Sequence, residues 1–156
     1  MLRKLKDIGK FLHDYHLSYV IGVMVMPPAI NTELVERAKS LARPKRLSKD
    51  CVSAEVGCAL ITSKNNLFVG VSIDCACGIG TCAEHGAIQN MLVSGESRIK
   101  TIVAVAGNGT VLPPCGRCRE LIYQVNGMNR EANIIVGKHK TRKLKDLLPE
   151  PWQKAF

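Results

Sequence analysis

"CAEHGAIQNMLVSGESRIKTIVAVAG", Cys82 to Gly107, is the stretch whose reading decides the fold. Ala87, Ile88, Met91 and Leu92 recur at helical spacing, and Gly95 stands where a helix end favours a left-handed residue. The apolar run from Arg98 to Gly107 then has the character of a strand buried on both faces. Downstream the order repeats, with "CGRCRELIYQV" (Cys115 to Val125) as a helix and "ANIIVG" (Ala132 to Gly137) as a strand. "KLKDLLPEPW" (Lys143 to Trp152) reads as a short terminal helix stopped by Pro149. Upstream, "AEVGCALITSKNNLFVGVSI" (Ala54 to Ile73) reads as two strands joined by a turn at Lys64 to Asn66, hence an antiparallel hairpin. "NTELVERAKSLA" (Asn31 to Ala42) is expected to be the first core helix. Asn31 or Thr32 would be its N-cap, Glu33 and Glu36 would lie in its first turn, and Leu34, Val35, Ala38 and Leu41 would form its apolar face. A hairpin followed by helix, strand, helix, strand predicts parallel crossovers and an α/β fold, a three-layer α/β/α sandwich.

The bulk properties agree with a globular chain. Its 156 residues are 46% apolar and 22% charged, enough for one domain with a core and too apolar for bulk disorder. Aromatics make up only 4%, so aliphatic side chains must fill that core. The formal net charge of +9 raises the question of an anionic partner. The charges are scattered over the N-terminal residues, "RPKR" (Arg43 to Arg46) and "KHKTRKLK" (Lys138 to Lys145), with no RNA-binding aromatic signature beside them. They are read as solvated lysines and arginines, with no nucleic-acid partner expected.

The apolar run "YVIGVMVMPPAI" (Tyr19 to Ile30) is too short to span a bilayer and lacks the layout of a signal peptide. It is expected to be a buried strand or packing segment, or to precede a functional start at Met24 or Met26. Residues 1–30 are treated as an N-terminal extension and 31–156 as the functional domain. Seven cysteines, an odd number with a C-x-x-C pair, point to a metal or redox site in a reducing, cytoplasmic setting.

Cys82, Cys115 and Cys118 each fall in the expected first turn of a helix, where free amides and the dipole favour a thiolate. Thiolates are good zinc ligands, and three of them leave the fourth tetrahedral position open, as in catalytic zinc sites. Cys75, Cys77 and His85 are alternative or additional ligands by proximity in sequence. Glu84, in the same helical turn as Cys82, can face the open position and carry protons between water and a leaving group.

C-A-E at Cys82–Glu84, followed one strand later by P-C-G-R-C at Pro114–Cys118, resembles the cytidine deaminase superfamily. Cysteine in the first position resembles the branch of small cytidine deaminases and blasticidin S deaminases. The resemblance runs from about Thr32 to Trp152. It implies an α/β/α sandwich around a mixed five-stranded sheet, zinc on Cys82, Cys115 and Cys118, and Glu84 as proton shuttle. Hydrolytic deamination of a free cytosine nucleoside, cytidine or deoxycytidine, would follow, with the backbone of Cys82 and Ala83 holding the ring edge. A nucleoside antibiotic such as blasticidin S is the alternative substrate, and a non-catalytic zinc-stabilised protein the alternative of another class. The family also implies a homo-oligomer, a tetramer or dimer, and no membrane partner.

The chain departs from the family pattern in places. Ser72 and Asp74 stand where N-x-E usually holds the ribose hydroxyl, and the loop from there to Cys82 is shorter. His85 replaces the usual arginine, and Ala54 stands where an aromatic flanks the base, so a wider pocket is expected. Trp152, in "LLPEPW", matches the position of an aromatic that covers a pocket, here expected to lie over a neighbour's site. Cys51 and Cys58 are read as small buried hydrophobes, and His13, His16 and His139 as surface residues. Arg117 and Arg119 either supply positive charge near the metal or face solvent.

Overall fold

The computed structural model describes residues 28–155. The basic N-terminal residues, His13, His16, the starts considered at Met24 and Met26, and most of the Tyr19–Ile30 run lie outside the described residues.

The first helix, α1, spans Pro28–Leu41 and so begins ahead of the Asn31 or Thr32 cap that the sequence suggested. Proline is suited to a first helical position, because its missing N–H would have had no intrahelical acceptor there. Glu33 and Glu36 consequently fall beyond the first turn, which holds no acidic residue. Strand β1 (Lys45–Ser48) follows, then the hairpin β2 (Cys51–Thr62) and β3 (Leu67–Cys75) with its turn where expected. After a 3₁₀ turn at Ala76–Gly78 come α2 (Ala83–Val93), β4 (Ile99–Ala106), the two-residue β5 (Val111–Leu112) and α3 (Gly116–Val125). A 3₁₀ turn at Gly127–Glu131, β6 (Asn133–Gly137), β7 (Lys140–Lys143), α4 (Leu144–Leu147) and a 3₁₀ turn at Trp152–Ala155 complete the described chain.

Among the described residues the sheet contains seven strands but is five positions wide. β2 has β3 on one edge along most of its length. Its other edge carries β1 at Cys51–Ser53 and β4 from Val56 onward, so these two share a position end to end. β5 and β6 likewise meet β4 at different ends, β5 at Ala104–Val105 and β6 at Thr101–Ile102. β7 closes the far edge against β6. β3 and β4 both run antiparallel to β2 and are therefore parallel to each other, while β4 and β6 pair in parallel. The sheet is mixed, and the two crossovers read from the sequence carry α2 and α3.

Alternation along the strands divides the core between the two faces. Cys58 and Leu60 of β2, Ile102 of β4 and Ile134 of β6 join Ala83, Ala87, Ile88 and Met91 of α2, Ile122 of α3 and Leu144 of α4. The intervening Ala59, Val103, Val105 and Ile135 pack on the other face against Leu34 and Ala38 of α1. These are the three layers expected from the sequence. Each fully buried Leu or Ile contributes roughly 1.5–3 kcal/mol.

Two close contacts and one buried amide fix the helices that matter for the site. A Cβ at Gly70 of β3 would strike the backbone of Ala83 and Ala87, so glycine lets the first turn of α2 lie directly on the strand. At its other end α2 closes in a Schellman motif, with Gly95 N–H donating to Leu92 O and Glu96 N–H to Met91 O. Gly95 sits at φ +72°, a left-handed conformation suited to glycine. Asn129 is fully buried and satisfied: its amide donates to Ile122 O and Ser97 O, and its Oδ1 accepts from Ile99 N–H. It ties the end of α3 to the start of β4.

Candidate active site

α2 and α3 both begin beyond the carboxyl ends of parallel strands, the place where α/β folds carry their chemistry. Cys82 is the N-cap of α2 and Cys115 the N-cap of α3, while Cys118 lies one turn further on. Their Sγ atoms gather within 4.8 Å of one another, with Cys82 and Cys115 at 3.8 Å. A tetrahedral zinc with Zn–S near 2.3 Å would set its sulfurs about 3.8 Å apart, so the spacing suits the ion. Pro114 breaks the chain just before Cys115, and the Gly-rich loop frees the chain just before Cys82.

Glu84 is 6% exposed and borders the cleft beside these thiols. Burial holds its carboxyl above the usual carboxylate range, against weaker pulls from its own amide and the Cys118 thiol. The thiols do not all behave as the helix-dipole argument predicts. Burial raises Cys82, and it raises Cys118 strongly, with the Glu84 charge adding to the effect. Cys115 is also pushed up by burial, but hydrogen bonds from Cys118 and Cys82 bring it below its ordinary value. Three thiols and a carboxylate crowded together resist ionising at once, and a divalent cation among them removes that conflict. Zinc is the cation this donor set fits; Cys82, Cys115 and Cys118 would hold it, and three thiolates would fill three of its four tetrahedral positions.

The alternative ligands are elsewhere. Among the described residues the cluster holds only Cys82, Cys115 and Cys118. Cys75 turns its Sγ to Cys51 at 3.0 Å, and Cys77 is exposed at φ 60°. His85 is half-buried, and its Nε2 has no hydrogen-bond partner. Burial, then the neighbouring Arg117, lower its pKa, so it does not replace the positive charge of the family's arginine. Arg119 is half-buried rather than solvated: it clamps the loop before Cys115 and α4 by donating to Pro114 O at 2.8 Å and Leu147 O at 3.0 Å. Cys58 is buried as expected, whereas Cys51 is only half-buried.

The cleft has a volume of about 430 Å³ and runs from Glu84 and Cys115 to Ser72 and Asp74 on β3. Its wall depends on a bulge. The β2–β3 register shifts between Ser53 and Gly57, and Ala54 takes φ 61°. In place of a ladder bond, Val56 N–H donates to Ser72 Oγ at 3.1 Å. Ser72 is 5% exposed, so part of its hydrogen-bonding capacity already serves the sheet, while Asp74 is exposed. Ala83 is fully buried at the first position of α2. The bulge also brings Glu55 to the cleft, a residue sequence reasoning passed over, because strict alternation would have assigned it to the opposite face of β2. Trp152 does not border this cleft; it is 63% exposed and its backbone N–H donates to Glu120 Oε1 at 3.0 Å. No helix among the described residues is long and apolar enough to cross a membrane.

Comparison with known proteins bears on the same residues. Residues 29–134 match the family described as the cytidine and deoxycytidylate deaminase zinc-binding region. The cytidine deaminase of Mycobacterium tuberculosis is 30% identical over 96 residues, which are 61% of this chain and 70% of that protein. The crystal structure of the Mycobacterium leprae cytidine deaminase superposes with a TM-score of 0.64 at 30% identity, covering 76% of this chain and 97% of the other. The Mycobacterium tuberculosis cytidine deaminase structure gives 0.65 at 27% identity, covering 78% and 95%.

Proposed function

The chain belongs to the cytidine and deoxycytidylate deaminase family, a zinc-dependent hydrolase, and from that premise we propose that it deaminates a free cytosine nucleoside, releasing ammonia. The observation that carries the choice of a nucleoside over a nucleotide is the character of the cleft. Among the described residues it is lined by Glu55, Asp74 and Glu84, and by no lysine, arginine or histidine. A phosphorylated substrate would meet carboxylates there and no counter-charge.

When bound, zinc supplies an acidified water at an open coordination position. Glu84, with its pKa raised by burial, is suited to take a proton and to give it up again. It would protonate the ring nitrogen beside the carbon under attack and then the departing amine. The Ala83 amide has no intrahelical acceptor in the first turn of α2, and is proposed to hold the edge of the ring. Ser72 and Asp74 are proposed to bind the sugar. Ser72 Oγ already accepts from Val56 N–H, which leaves its O–H to donate and one lone pair to accept.

A bulkier nucleoside, of the kind represented by blasticidin S, is the alternative substrate; Ala54, where the family's pattern has an aromatic, sits at the bulge beside Glu55 and does not itself line the cleft. The exposed Trp152 is proposed to act across a subunit boundary in a homo-oligomer, over a neighbour's cleft. A cytoplasmic location and a domain running from residue 31 to 156 belong to the same proposal.

The experiment is ammonia release from cytidine, deoxycytidine, their 5′-monophosphates and blasticidin S, each with wild type and Glu84→Gln. Turnover of nucleosides with the monophosphates inert supports the reading. Preference for a monophosphate overturns it, and activity confined to blasticidin S selects the bulkier class.

A further inference from the structure

Outside the metal site, Cys51 and Cys75 form a second thiol pair. They are directly opposed on antiparallel β2 and β3, and the Cys75 thiol donates to Cys51 Sγ across 3.0 Å. The neighbouring rung shows which kind of position they occupy. Ala76 N–H donates to Asp50 O at 3.0 Å, which makes 50 and 76 a hydrogen-bonded pair and Cys51–Cys75 the non-hydrogen-bonded pair beside it. In such a pair the Cα atoms approach to roughly 4.5 Å and the side chains face each other closely. That lies within the roughly 4.4–6.8 Å over which a disulfide closes without moving the backbone.

The other thiols are disposed differently. Cys82, Cys115 and Cys118 are gathered for the metal, Cys58 is buried, and Cys77 is exposed beyond the paired rungs. Cys51 and Cys75 are half-buried, neither sealed nor metal-bound, and Cys75 borders the cleft directly after Asp74.

We propose that Cys51 and Cys75 are a reversible disulfide site whose oxidant is a low-molecular-weight disulfide such as oxidised glutathione. One thiolate attacks a sulfur of the oxidant, forming a mixed disulfide and expelling one small thiolate. The second protein thiol then attacks the protein-bound sulfur, forming the Cys51–Cys75 bond and releasing the second small thiol. The pair loses two hydrogens and two electrons, and the oxidant gains them. A disulfide of this kind in a reducing compartment is transient and redox-sensing rather than structural. Closed, it links the start of β2 to the end of β3 next to Asp74, at the cleft wall. None of this depends on which nucleoside is the substrate.

The test treats the zinc-loaded full chain with oxidised glutathione at neutral pH, blocks the remaining thiols, and reads intact mass, peptide map and zinc content. The expected result is a free-thiol titre lower by two, a Cys51–Cys75 cross-linked peptide, unchanged zinc, and reversal by dithiothreitol. Cys77→Ser should keep the cross-link, and Cys51→Ser should instead hold a persistent glutathione adduct on Cys75. The proposal is overturned by wild type that carries only stable glutathione adducts or a Cys75–Cys77 cross-link. Zinc loss before any Cys51–Cys75 bond forms also overturns it. Mapping of wild type and Cys77→Ser decides the matter even if Cys51→Ser folds poorly.

Discussion

The two ends of the cleft are built by different devices. At the metal end, two helix starts deliver Cys82, Glu84, Cys115 and Cys118, and the supporting contacts are backbone on backbone, as at Gly70. At the opposite end, a bulged strand and an exposed strand end deliver Glu55, Val56, Ser72 and Asp74. The first end tolerates little change because its ligands must converge on one ion. The second is formed by short side chains around an irregular stretch of ladder, where one substitution alters shape without dismantling the sheet. The proposed function places chemistry at the rigid end and substrate choice at the adaptable one.

The largest effect that can test this division is at a ligand. Cys118→Ser should abolish turnover, release zinc and lower thermal stability, because the ion's binding energy contributes to folding. Zinc retained at full stoichiometry, measured by atomic absorption on dialysed protein, would break the assignment. Glu84→Gln should separate chemistry from metal: turnover falls by roughly 10²–10⁴, the size of general acid–base catalysis, with zinc and fold intact. Unchanged turnover would remove Glu84 from the mechanism.

Smaller effects are expected at the other end. Asp74→Ala should raise KM by about tenfold, one lost polar contact, with kcat little changed. An equal loss in kcat would show that this end takes part in the chemistry, and the contrast between the two ends would fail. Ser72→Ala should cost about 1–3 kcal/mol in urea unfolding, since the Val56 N–H loses its acceptor in the bulge.

The smallest effect belongs to a carboxylate outside both ends. The Thr62 hydroxyl, then the Asn66 amide, hold Glu96 below the ordinary carboxylate range. A depressed pKa in the folded state means that the stabilisation is present above the unfolded carboxylate pKa and is lost as pH falls through the folded one. The stability gap between wild type and Glu96→Gln should therefore narrow on acidification while neutral-pH turnover stays the same. A gap constant with pH would contradict this.

Much of the metal end was legible along the chain. C-A-E and P-C-x-x-C are local patterns, and the helices that present them carry their own start and stop residues in Pro114, Gly95 and the apolar spacing. The layers were legible for the same reason, since alternation in β2, β4 and β6 assigns residues to faces without knowledge of their partners. Glu55 was hidden because one bulge resets the alternation that sequence reading relies on. Arg119 could be read only as a charge near the metal or a solvated side chain, and its role as a clamp depends on carbonyls of Pro114 and Leu147 that no spacing rule connects to it.

By itself, the sequence determined the layered fold class, the central strands and helices and the three cysteines that gather into one cluster, because each depends on residue type and short-range spacing, whereas the short strands β1, β5 and β7 were not legible in it. Only the tertiary structure decided which other groups share the site. It separated Cys75 and Cys77 from the metal, set Cys75 against Cys51, left His85 half-buried without a partner for its Nε2, and turned Ser72 toward the Val56 amide. These outcomes follow from register and close approach between segments distant in the chain, and register is a property of paired strands rather than of either strand alone.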